Sequence, residues 1–258
     1  MQNEHEENKN VFYRVGLRSL IFFRLYPHTF FTFSPFKIYE FAELQRGLKI
    51  SKDEMVLDIG CGSGLQTMLI GKKCKKVIGI DISEKAITIA KSISHYMKGR
   101  FNIEFRCIKL ENANFENEFF DRIFSFCVIE HISNYSEILK EAHRILKNNG
   151  QMIFSVDSLE NIKDIKLVEK HKKQHFVEKY FKKEELKTIL EEIGFKRIEI
   201  YPIFKSNFAR ELFIEKVINR SSKFGFIIPI LTYWVLRYEE YKYRDEDKGI
   251  FLIAKCYK

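Results

Sequence analysis

The chain has no apolar run long enough to cross a bilayer. Phe224 to Leu236 is uncharged over thirteen residues between Lys223 and Arg237, with Pro229 inside it, and a spanning helix needs ~20 apolar residues. It also lacks a Cys-x-x-Cys pair. Cys61, Cys74, Cys107, Cys127 and Cys256 are scattered, which excludes a zinc ribbon and a disulfide framework and fits small, reduced, buried thiols in a cytosolic protein. The first ten residues are polar, rich in Glu and Asn, and do not read as a secretory leader. Acid is in deficit: 35 Asp and Glu stand against 44 Lys and Arg, a net charge of +9. That surplus attracts anionic partners at long range and says nothing about fold. Lysines on solvated helix faces give the same total.

What is present centres on Met55 to Gly64, Met-Val-Leu-Asp-Ile-Gly-Cys-Gly-Ser-Gly. A short apolar run suits a strand buried on both faces. Gly60, Gly62 and Gly64 then allow a tight turn and close ligand approach, and Leu65 to Ile70 can open a helix whose free N–H groups face the loop. A second buried strand, Lys76 to Ile82, places Asp81 about 20 residues after the loop, where a carboxylate can meet a ribose hydroxyl pair. The pattern is not the dinucleotide fingerprint, because Leu65 and Gln66 stand where its third glycine would be. Asp58 would repel a pyrophosphate and suits a ligand with a cationic amino group.

Val56–Gly64, Gly79–Ser83, Phe120–Ile132 and Ala142–Gly150, in this order and spacing, resemble the class I S-adenosylmethionine-dependent methyltransferases. The likeness is greatest to the small-molecule branch that includes the quinone-biosynthesis enzymes. It covers roughly residues 50 to 157 and weakens toward 204. It implies a Rossmann-like α/β fold, with a seven-stranded, mostly parallel sheet, helices on both faces and an antiparallel last strand. It implies S-adenosyl-L-methionine as cofactor, contacted by Asp58, Gly60, Cys61, Gly62, Gly64, Asp81, Ile82, Glu111 and Cys127. Family members often place an acidic residue just after the third strand, against the adenine amino group. Lys109 aligns there, so Glu111 is the candidate beside backbone contacts from Leu110 or Asn112. Some quinone O-methyltransferases also carry a glutamate three residues before the Glu-His pair and bind a metal. Cys127 holds that position here, so no metal is expected.

In chain order, Val11 to Tyr26 interleaves apolar residues with Arg14, Arg18 and Arg24, a basic amphipathic helix pattern. Helices are expected at Phe36–Gly47, from a Ser83 cap to Gly99, at Glu137–Lys147 and at Lys183–Ile193. Further strands are expected at Asn102–Leu110, Phe120–Ile129, Gln151–Val156, Phe195–Phe204 and Gly249–Tyr257. Three regions follow: an arm or lid over 1–50, a cofactor-binding core over 51–204 completed by 249–258, and an apolar helical insertion over 205–248 capping the substrate. Both flanking regions suit either ordinary core packing or contact with a lipid-like acceptor or a membrane surface.

The expected function is methyl transfer to a small, apolar or lipid-linked acceptor, with O-methylation favoured and His131 as the candidate catalytic base. The alternatives are a tRNA or protein methyltransferase, suggested by charge, and a cofactor-binding protein without catalysis. No Asn-Pro-Pro-Tyr type motif and no RNA module is present, which disfavours nucleic acid. The expected location is cytoplasmic, with peripheral membrane contact left open, as is the oligomeric state.

Overall fold

A computed structural model describes residues 34–95, 102–221 and 229–258. The basic amphipathic pattern of Val11 to Tyr26, and the Gly99 stop, lie outside the described residues. Seven strands form one sheet: β1 (Met55–Ile59), β2 (Lys76–Asp81), β3 (Ile103–Cys107), β4 (Phe120–Phe126), β5 (Leu146–Asp157), β6 (Lys196–Ile203) and β7 (Phe251–Tyr257). Their order is β3-β2-β1-β4-β5-β7-β6. β7 runs antiparallel to both β5 and β6, and the other pairings are parallel. The last strand thus slots inside the edge strand β6. The order reverses between β1 and β4, and the crevice at that switch point is where open α/β sheets bind ligands.

Alternation along the central strands sorts side chains onto two faces. Val56, Phe124, Ile153 and Ile253 join one apolar layer, and Leu57, Ile123, Met152 and Leu252 join the other. The first layer is covered by α1 (Pro35–Gly47), α2 (Leu65–Gly71), α7 (Asn207–Phe213) and α8 (Pro229–Lys242), the second by α4 (Tyr135–Ile145) and α6 (Lys183–Ile193). Met68, Ile87, Ala90, Ile93 and Phe105 pack α3 (Glu84–His95) against the loop end of the sheet. Ser34 and Pro35 start α1, the Ser34 side chain accepting from Lys37 N at 3.4 Å. Ser83 caps α3 through Ala86 N at 3.2 Å.

Several boundaries differ from the sequence expectation. The fourth strand stops at Phe126 because Cys127, at φ 46°, turns the chain into a 3₁₀ turn over Ile129–His131. The third strand ends at Cys107, and Leu110–Asn112 is a 3₁₀ turn. Helix α4 ends at Ile145 rather than Lys147, because Leu146 is already paired with Phe120 in the sheet. Lys147 to Gly150 then bulge out before Gln151 resumes pairing with Arg122. A helix that the periodicity did not signal, α5 (Ile165–His175), follows β5.

Between β6 and β7 lie α7, a π-helical turn over Ile214–Ile218, and α8. They pack on α1 through aromatic contacts, with Phe36–Phe213 ring centroids 5.5 Å apart and Tyr39–Tyr233 6.2 Å apart. Helix α8 is apolar on both sides. Tyr233, Leu236 and Glu240 are buried, whereas Leu231, Trp234, Val235, Tyr238 and Tyr241 form an exposed stripe at helical spacing. Among the described residues no helix is long and apolar enough to cross a membrane.

Candidate active site

The glycine loop is folded back over the end of β2: Gly60 N and Cys61 N both donate to Ile80 O, at 2.9 and 3.0 Å. Its three glycines have φ of 75°, 52° and 81°, a region that side chains rarely enter. They do different work. A Cβ on Gly60 would run into Val128, and one on Gly64 would lie 2.5 Å from Phe105 Cζ, so these two allow close internal packing. A Cβ on Gly62 would meet nothing within 4 Å. Only there does the loop leave room for something other than protein.

Asp81 ties this loop to the next. Gly62 N donates to Asp81 Oδ2 and Ser83 N to Asp81 Oδ1, each at 2.8 Å. A carboxylate has about four acceptor positions, so both oxygens keep capacity for a ligand. A cavity of ≈ 340 Å³ opens beside it, walled by Gly60, Asp81, Ile82, Glu111, Val128 and His131 among others. Ile82, 72% exposed, forms part of that wall. Glu111 accepts from Asn134 Nδ2 at 3.2 Å, and Lys109 and Leu110 share its side of the cavity. Gly60, Asp81, Ile82 and Glu111 are thereby brought together.

Three other expected residues are placed differently. Asp58 is 1% exposed and lines neither cavity; its Oδ2 accepts from Thr67 Oγ1 at 2.6 Å. Burial, with Asp81 adding repulsion, pushes its carboxyl up to about 7 against the Thr67 bond. It therefore braces the first turn of α2 from behind the loop. Cys61 turns its thiol into the core against Gly79, leaving only backbone on the loop. Cys127 faces a second cavity, and its thiol donates to Glu40 Oε1 at 3.1 Å. Burial and Glu40 push that thiol well above its ordinary range.

The second cavity, ≈ 290 Å³, lies between α1, α5, the loop after β4 and the end of β5. Its walls include Lys37, Glu130, Asp157, His171, Phe213 and Phe251, and it shares His131 with the first cavity. His131 Nδ1 lies 3.2 Å from Phe176 O, and Nε2 lies 4.0 Å from Glu130 Oε1. The sulfur of Cys127 and carboxylate oxygens of Glu130 and Asp157 all lie within 4.8 Å of one another. The expectation of no metal considered position 127 alone, and the fold adds Asp157 from the end of β5.

Sequence reasoning missed the contributions of Lys37, His171 and His175 to this cavity, and of Glu40, which holds Lys37 and Cys127 from behind its wall. The signals were modest: Lys37 and Glu40 sit three apart behind a Ser-Pro start, and the two histidines four apart on α5. Burial and the neighbouring histidines His175 and His131 lower His171 to about 4, which keeps it neutral.

A family model described as "Methyltransferase domain" matches residues 57–154. That match, the sheet order and the glycine loop support a class I S-adenosylmethionine-dependent methyltransferase domain, one resembling the quinone-biosynthesis enzymes. Within the class, the chain is 32% identical over 104 residues to the Ubiquinone biosynthesis O-methyltransferase of Coxiella burnetii, covering 40% of this chain and 44% of that protein. It is 36% identical over 126 residues to the Arsenite methyltransferase of Mus musculus, covering 43% of this chain and 33% of that protein. The chain thus spans less than half the length of these curated relatives. Among solved structures, the Phosphoethanolamine N-methyltransferase 2 of Haemonchus contortus in complex with S-adenosyl-L-methionine has a TM-score of 0.63 at 19% identity, covering 85% of this chain and 52% of that one. An S-adenosylmethionine-dependent methyltransferase of Mesorhizobium loti has a TM-score of 0.61 at 16% identity, covering 85% and 98%.

Proposed function

We propose that this protein transfers a methyl group from S-adenosylmethionine, held in the first cavity, to an oxygen of a small acceptor held in the second. The observation that carries this reading is that the two cavities meet at one imidazole, His131. The glycine loop fits the cofactor: open space lies at Gly62, and Asp81 has lone pairs left for the ribose hydroxyls. Gly60 and Ile82 flank the nucleoside, with Glu111 or the neighbouring backbone on the adenine side. Asp58 and Cys61 act through the loop they support. Cys127 acts on the acceptor side.

The cofactor supplies a methyl group made electrophilic by a sulfonium. What remains for the chain is alignment, exclusion of water and care of the acceptor's proton. With its hydrogen on Nδ1 and donated to Phe176 O, His131 keeps Nε2 as the acceptor. That nitrogen lies on the side of Glu130, 4.0 Å from its Oε1. His131→Ala should lower kcat for a phenolic acceptor about 10²- to 10⁴-fold, while cofactor affinity by calorimetry stays within about threefold. An unchanged kcat would remove the base from the mechanism.

Helix α1 and the 205–248 region serve in this reading as the cap over the acceptor. The exposed stripe of α8 supports peripheral contact with an anionic membrane surface. Arg237 lies over the Trp234 ring at 5.4 Å and Arg244 over Tyr241 at 5.7 Å, pairing cations with interfacial aromatics. The protein should sediment with vesicles containing phosphatidylglycerol. A Trp234→Glu/Tyr238→Glu double variant should lose most of that binding at unchanged melting temperature. Equal sedimentation of both proteins would refute the assignment.

A further inference from the structure

We propose that the acceptor carries an amine, protonated in solution, and that the second cavity seats this ammonium on Glu130 and Asp157. The inference rests on the reading of that cavity as the acceptor site and names the chemical class the site selects.

Glu130 is 0% exposed, and among the described residues neither of its carboxylate oxygens has a hydrogen-bond partner. Its backbone is committed: Glu130 O accepts from Glu178 N at 2.9 Å and Lys179 N at 3.1 Å, so the residue is fixed in place with its side chain on the cavity wall. Asp157 is also buried on that wall. Its near neighbour His171, 3.9 Å away, already has its Nδ1 2.9 Å from the Tyr180 hydroxyl. A buried acid without a partner is expensive, and proteins retain one where something is to be bound. Burial and the neighbouring Asp157 raise Glu130 well above the usual carboxylate range, and burial with Glu40 brings Asp157 to about 7 against the pull of Lys37.

The cavity itself shows which cation it takes. Among the described residues lining it, one side chain carries a permanent positive charge, Lys37, and that ammonium is 2.8 Å from Glu40. The same nitrogen lies 5.9 Å from the centroid of the Phe251 ring. An ammonium held between a carboxylate and an aromatic face is therefore already accommodated here. Glu40 is further engaged by the Ser155 hydroxyl and the Cys127 thiol, whereas Glu130 is left unmatched among the described residues, with Asp157 beside it. Phe36, Phe213 and Phe251 supply the walls. Ring faces attract an organic cation and offer no ligand atom to a metal ion.

Tyramine and 4-ethylphenol share an aromatic body and a phenol and differ in the ammonium. Titrated calorimetrically into the full chain saturated with S-adenosylhomocysteine, tyramine should bind at least about tenfold more tightly, as expected of a hydrogen bond to a charged group. Glu130→Gln and Asp157→Asn should each bring the ratio to within about threefold, while melting temperature and cofactor affinity stay at their native values. The proposal is overturned if the two phenols bind alike, if their ratio survives both substitutions, or if neither binds. It is equally overturned if zinc chloride binds stoichiometrically in a manner that Glu130→Gln abolishes while tyramine shows no preference. Methyl transfer to 4-ethylphenol with no preference for tyramine would sink the amine site and leave the acceptor reading standing. Absence of S-adenosylmethionine binding would sink the reading itself.

Discussion

Replacing Asp81 with alanine should weaken S-adenosylmethionine binding at least about 100-fold, equivalent to about 2.7 kcal/mol. Two losses combine. Gly62 N and Ser83 N each give up a 2.8 Å bond to an anionic acceptor, and such bonds contribute about 1.5–3 kcal/mol apiece. The loop that presents open space at Gly62 is then no longer tied to the end of β2. The ribose hydroxyls also lose their acceptor. Asp81→Asn retains the shape and one acceptor oxygen, so it should fall between alanine and native protein. Calorimetry with S-adenosylmethionine and with NAD decides the matter. Native-like affinity in the alanine variant, or tighter binding of NAD by the native chain, would contradict the assignment.

The second large effect concerns stability and separates two glycines that look alike in sequence. In Gly64→Ala the new Cβ would lie 2.5 Å from Phe105 Cζ, 2.7 Å from Cε1 and 3.1 Å from Ala90 Cβ, at φ 81°. Phe105 is buried between the loop and α3 and cannot step aside cheaply. Overpacking costs about 1–3 kcal/mol and the left-handed backbone about 1–2 kcal/mol more. A melting temperature lower by roughly 5–15 °C follows at this chain length. Gly62→Ala meets no neighbour within 4 Å, so its stability cost should stay near ~1 kcal/mol from backbone strain alone. On the proposed cofactor site its effect should fall on cofactor affinity, because the new methyl group enters the open space beside the loop. If both variants melt alike, the division of labour in the loop is wrong.

The legible part of this protein was local. Alternation and apolar runs place β1, β2 and β4, and Lys183–Ile193 is a helix over the residues its spacing indicates. Such patterns are written over a few consecutive residues, so neighbours along the chain suffice to reveal them. The errors arose where a distant strand overrides local preference. Leu146 leaves its helix because Phe120 is there to pair with it, and the fourth strand stops early because Cys127 takes a left-handed turn. No window of sequence contains both partners.

The candidate site divides in the same way. Gly60, Asp81, Ile82 and Glu111 belong to loops on adjacent strand ends, and fixed strand spacing carries them to one cavity. Asp58 and Cys61 were expected at the cofactor by position, and their side chains are turned into the protein, Asp58 onto Thr67 and Cys61 against Gly79. The sequence by itself indicated the sheet and the methyltransferase class, because those are written in apolar strand patterns, a glycine loop and an acid at a set interval. Only the tertiary structure decided what lines the second cavity. Lys37 and Glu40 from α1, Asp157 from β5 and His171 from α5 converge on Glu130 and His131 across more than a hundred residues of chain. Burial then raises the carboxyl groups of Glu130 and Asp157 and keeps His171 neutral, and burial is a property of the packed molecule that no local pattern records.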